Sequence, residues 1–90
     1  MAKPIFFVAT LSEADAVFER ARSIAADSGD VFKLDRDKFY IAFDGISVEL
    51  AEKLGIRSEP FLGSGVVMPV QGYSGRAPTS LWEWLRLKGE

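Results

Sequence analysis

Apolar positions along the chain fall into blocks with two different periods. The first block, Ile5-Phe6-Phe7-Val8-Ala9-Thr10-Leu11, is nearly unbroken and of strand length, and Pro4 precedes it where a missing N–H does little harm. Ser12 then reads as an N-cap, with Asp15 three residues on as a near capping box. Ala14, Val17, Phe18, Ala21, Ile24 and Ala25 recur at helical spacing and predict an amphipathic helix that Ser28-Gly29-Asp30 ends. Val31 to Leu34 and Phe39 to Phe43 are β-prone, and the polar stretch Asp35-Arg36-Asp37-Lys38 between them predicts a hairpin with a four-residue connection. Asp44-Gly45 closes that strand. Ser47 is the expected cap of a second helix through Leu54, with Leu50, Ala51 and Leu54 facing inward. Gly55 fits the left-handed position after it, and Ile56 can pack back as in a Schellman ending. Gly65 to Val70 is the last strand, and Pro69 marks it as an edge strand or a bulged one. A loop through Pro78 leads to a final short helix capped by Thr79 or Ser80.

The element order is therefore β-α-β-β-α-β-α. Its first six elements spell the ferredoxin-like split βαβ, an α+β fold with an antiparallel sheet ordered 4-1-3-2 and both main helices on one face. The chain reads as a single domain over 1–90, with a ferredoxin-like βαββαβ core over 1–71 and a loop with an extra C-terminal helix over 72–90.

Such a sheet should alternate apolar with polar, because only one face meets helices. Here both faces are apolar. Ile5, Phe7 and Ala9 point one way and Phe6, Val8 and Thr10 the other; Phe39, Ile41 and Phe43 oppose Tyr40 and Ala42. Each large side chain left wet forgoes roughly 1.5–3 kcal/mol. A cover is expected: the C-terminal helix with Trp82 and Trp84, a second copy of the chain, or both. The candidate interface is Phe6, Val8, Tyr40, Trp82, Trp84 and Leu85, and a homodimer to which the C-terminal segment contributes is the expected assembly. Trp82 and Trp84 point about 200° apart on a helix, so they should not share one core.

Composition narrows the chemistry. Cysteine and histidine are both absent, which removes disulfides, thiolate metal sites, the cysteine nucleophile and the commonest general base. No cofactor and no metal are expected. The net charge of −2 has no basic block, so nucleic acid is an unfavoured partner. No apolar run approaches the ~18 residues of a membrane span, and the opening Met-Ala-Lys-Pro has no basic n-region of a leader; a cytoplasmic location is the default.

Few segments could carry a ligand. Asp35 to Lys38 reads as a solvated hairpin tip, and Gly63-Ser64-Gly65 precedes a strand rather than a helix, unlike a phosphate loop. The stretch Gly72-Tyr73-Ser74-Gly75-Arg76-Ala77-Pro78 joins a strand to a helix start, where backbone N–H groups can receive an anion. Tyr73, Ser74, Gly75 and Arg76 are its candidate residues; turn geometry and packing of Tyr73 are the alternative reading.

In its apolar first strand, the long helix after Ser12, the strand Phe39-Tyr40-Ile41-Ala42-Phe43 followed by Asp44 and a short helix, and a late strand with an appended end, the chain resembles the small ferredoxin-like proteins of the Cas2 and SinR-like kind. That resemblance implies dimers. The nuclease members carry an aspartate at the end of the first strand, where this sequence reads Ala9-Thr10-Leu11, so nuclease activity is not carried over.

The expected function is a non-enzymatic, dimeric interaction or regulatory module, suited to a regulator, an inhibitor or a subunit of a defence or toxin–antitoxin system. Two alternatives stay open: an anionic-ligand-binding domain or minor enzyme using the Gly72–Pro78 loop, and a weak nucleic-acid binder.

Overall fold

A computed structural model describes residues 3–89. Strand β1 (Ile5–Ser12) leads into helix α1 (Ala14–Ile24). A single 3-10 turn (Ser28–Asp30) connects α1 to the hairpin of β2 (Val31–Asp35) and β3 (Lys38–Ala42). Helix α2 (Ser47–Leu54), strand β4 (Ser64–Pro69) and helix α3 (Thr79–Gly89) follow. The four strands form one antiparallel sheet ordered β2-β3-β1-β4. Read from its other edge this is 4-1-3-2, the ferredoxin-like order, with Pro69 on an edge strand where a lost donor costs no ladder bond.

Helices α1 and α2 share one face of the sheet. Val17 and Ala21 of α1 and Leu50 and Leu54 of α2 meet Phe6, Val8, Phe39 and Ile41, and all eight are buried. Phe18 of α1 stands edge-on to Phe39 with ring centroids 5.4 Å apart. The helix periodicity of α1 thus projects onto a real face.

Several local expectations change. Ser12 does not cap α1: its hydroxyl lies 2.8 Å from that of Ser64 and accepts the Ser64 N–H at 3.0 Å, so it closes the β1–β4 pairing instead. Glu13 takes the cap position in a left-handed conformation, φ 54° and ψ 45°. The chain can therefore turn from strand to helix within one residue. The hairpin connection is two residues, Arg36 and Asp37, because Asp35 and Lys38 already pair across a register shift after Lys33. At α2, Ile46 and not Ser47 occupies the cap position, and Glu49 accepts the Ile46 N–H at 3.1 Å. The α2 ending is as expected: Gly55 has φ 78°, its N–H donates to the Glu52 carbonyl, and the Ile56 N–H donates to the Ala51 carbonyl.

Candidate functional site

Pairing parity sorts the side chains of the sheet. Phe7 pairs with Tyr40 and Phe6 with Ile41, so Phe6 and Val8 belong to the α1–α2 face and cannot share a face with Tyr40. Phe6 is 3% exposed and Val8 is fully enclosed. Both leave the candidate interface. The far face carries Ile5, Phe7 and Ala9 from β1, Tyr40 and Ala42 from β3, Phe32 and Leu34 from β2, and Val66 and Met68 from β4.

Helix α3 covers one half of that far face. Leu81 and Leu85 are buried with Ile5, and Phe32, Leu34, Tyr40, Val70 and Ala77 pack around them. Leu85 is thus an inner contact of one chain, not a free anchor. Trp82 and Trp84 stand on opposite sides of the Leu81–Leu85 line and flank the same cluster; contrary to expectation, the roughly 200° between them straddles one core rather than separating two. An isolated helix of 11 residues is marginal in water, so α3 is held by what it touches.

A polar latch completes that hold. The indole N–H of Trp84 donates to the Gly29 carbonyl at 2.7 Å, and its ring lies 5.8 Å from Phe32 and 6.4 Å from Tyr40. Beside it the Asp30 carboxylate, 4% exposed, receives Lys88 at 3.0 Å on one oxygen and Lys3 at 3.0 Å on the other. Burial raises the Asp30 pKa, but the hydrogen bonds and charges of Lys88 and Lys3 outweigh it and hold the carboxyl below its ordinary value. From sequence alone Asp30 belongs only to a helix ending. Its partners lie 27 and 58 residues away, and no local pattern announces them.

Cover stops short of β4. Val66 and Met68 are 46% and 45% exposed, and Phe7 and Ala9 beside them are half-buried. Two more large apolar side chains are exposed nearby in the chain: Leu11, at the register shift where β1 meets β4, and Phe61, on the segment leading into β4. The outer edge of β4 has no neighbouring strand in the sheet. The Val70 N–H bonds inward to the Ile5 carbonyl at 2.9 Å. By alternation Gly65 and Val67 direct their backbone groups outward.

The Tyr73–Arg76 loop is a separate feature. Tyr73, Ser74, Gly75 and Arg76 are all exposed. The Tyr73 ring stacks on Trp82 at 5.8 Å with an interplanar angle of 17°. Open grooves of about 450 and 390 Å³ flank Trp82, the first bordered by Tyr73 and Arg86, the second by Arg76 and Lys38.

The sequence matches no known family, and no curated protein or solved structure resembles it at a meaningful level. The reading of function therefore rests on the residues themselves. Thr10, at the place where the resemblance looked for an aspartate, is buried, and both its N–H and its hydroxyl donate to the Asp37 carbonyl at 2.8 Å. It ties the end of β1 to the hairpin tip. At that tip the Lys38 ammonium, 2.9 Å away, is the main influence lowering the Asp37 pKa. Among the described residues, no three His, Cys, Asp or Glu side chains converge as a metal site would require. No described helix is long and apolar enough to cross a membrane.

Proposed function

We propose that this chain is a non-enzymatic binding module that pairs with a second copy of itself through the edge of β4 and the apolar strip beside it. The observation that carries the reading is the one-sided cover of the far sheet face. Helix α3 closes the β2–β3 half, while Val66 and Met68 stay exposed on the strand at the sheet edge; Leu11, near the end of β1, and Phe61, ahead of β4, are exposed as well. An open edge and an apolar strip together form a surface that proteins either blunt or use.

A two-fold pairing of β4 with β4, centred on Val67, would join the two sheets and bring both Val66–Met68 strips together. Pro69 lacks an N–H, so each Gly65–Pro69 pair of that ladder keeps one bond and the Val67 pair at its centre keeps both. In this reading the C-terminal helix finishes the core of its own protomer and the twin covers what remains.

The test is size-exclusion chromatography with light scattering. The wild type should run at twice the 9.9 kDa of one chain. The double variant Val66→Lys, Met68→Lys sets like charges opposite one another across the paired strands, and should run as a monomer with an unchanged circular dichroism spectrum, since both side chains are largely exposed in one protomer. A wild type that stays monomeric up to millimolar concentration, or a double variant that still dimerises, would sink the proposal.

A further inference from the structure

We propose that the Tyr73–Trp82 ring pair, with Arg76 and Arg86, forms a binding site for a nucleotide, taking the base by stacking and the phosphate on a guanidinium. The two tryptophans of α3 divide their roles. Trp84 is tied down through its indole N–H to Gly29 and packs on Phe32 and Tyr40. Trp82 instead meets one loop ring in a near-parallel stack, and that ring, Tyr73, is 50% exposed. The half-exposed Tyr73 ring, backed by Trp82, offers a flat aromatic face on which any base can lie.

The charges around the platform point to an anion. Arg86 lies one helical turn beyond Trp82, on the same side of α3. It borders the roughly 450 Å³ groove with Tyr73, Ser74 and Gly75. Arg76 borders the groove on the other side of Trp82. Among the described residues neither arginine takes part in an ion pair, whereas Arg22 and Arg57 are matched to Glu19 and Glu52. Two guanidinium groups bracket one ring pair, and their planar fork matches phosphate oxygens bidentately.

The groove also has the right size and one further polar group. Its volume falls inside the roughly 300–1,000 Å³ of small-molecule sites. Glu83 lies on its wall and can accept a hydrogen bond from a base amino group. The loop beside the groove stands clear of the rest of the chain: a Cβ at Gly72 or Gly75 would meet no atom within 4 Å. This surface is distinct from the β4 edge and does not depend on self-pairing.

Isothermal titration calorimetry on the full chain tests it, with adenosine and guanosine monophosphate as probes and ribose 5-phosphate as the base-free control. Saturable binding of at least one nucleotide is expected, with ribose 5-phosphate weaker by about tenfold or more. Arg86→Gln should weaken nucleotide binding by about tenfold through loss of one charge-assisted contact, Tyr73→Ala should do the same, and Tyr73→Phe should bind like the wild type. A short thymidine oligomer binding more tightly than the mononucleotides would identify the source as the end of a strand; equal or weaker binding would identify a free nucleotide. No saturable heat with either nucleotide at millimolar concentration would overturn the proposal. So would unchanged affinity in both Arg86→Gln and Tyr73→Ala at preserved melting temperature.

Discussion

Replacing Asp30 by asparagine keeps the shape of the side chain and removes the charge that two lysines share. The Lys88 ammonium, 3.0 Å away and 23% exposed, contributes about 1 kcal/mol once its partial exposure is allowed for. The Lys3 side chain is 37% exposed, so solvent screens its share to about 0.5 kcal/mol. Loss of about 1.5 kcal/mol follows at neutral pH, and for a domain this size that lowers the melting temperature by about 6–12 °C.

The pH dependence has a definite sign. In the unfolded chain Asp30 titrates near its ordinary 3.8, and in the folded chain lower. The stabilisation is therefore fully present above about pH 4 and disappears as pH falls through the depressed folded value. Thermal melts followed by circular dichroism at about pH 7 and about pH 2 should show a wide gap between wild type and Asp30→Asn that narrows in acid. A variant melting within about 2 °C of the wild type at neutral pH, or a gap that persists unchanged in acid, would refute the account of the latch.

Three other substitutions probe the backbone and the hairpin. Gly55→Ala should destabilise by about 1–2 kcal/mol in urea denaturation, because Gly55 has φ 78° and an added Cβ would lie 2.7 Å from the Leu62 Cβ. Gly72→Ala, with no atom within 4 Å and no positive φ, should instead gain about 0.5 kcal/mol by restricting the unfolded chain. Thr10→Val should cost about 1 kcal/mol in the same assay, since it removes the hydroxyl bonded to the Asp37 carbonyl at 2.8 Å.

Much of the architecture could be read from spacing alone. The apolar stripe from Ala14 to Ile24 projects a single face at period 3.6, and nothing competes with that period. Gly55 followed by Ile56 specifies an ending whose geometry only glycine adopts cheaply. The two apolar faces of β1 were equally visible, but alternation does not say which one meets the helices. That choice follows from the pairing of Phe7 with Tyr40, a contact between residues 33 positions apart, and it moved Phe6 and Val8 from a presumed interface into the core. Ser12 had the chemistry of a cap, yet a cross-strand serine at position 64 engages its hydroxyl more effectively. Of the candidate site, the openness of the Tyr73–Arg76 loop was legible from its glycines. Its stack on Trp82 was not, because that contact depends on where α3 comes to rest.

The shared carboxylate of Asp30 has a topological consequence. Lys3, just ahead of β1, and Lys88, near the end of α3, each hold one of its two oxygens, so segments far apart in sequence meet at one corner of the fold. One carboxylate thus fastens the run-in to the first strand and the last helix to the same point, so loosening either lysine leaves the other carrying the contact alone. A pull on either segment bears directly on the ion pairs that hold α3 down.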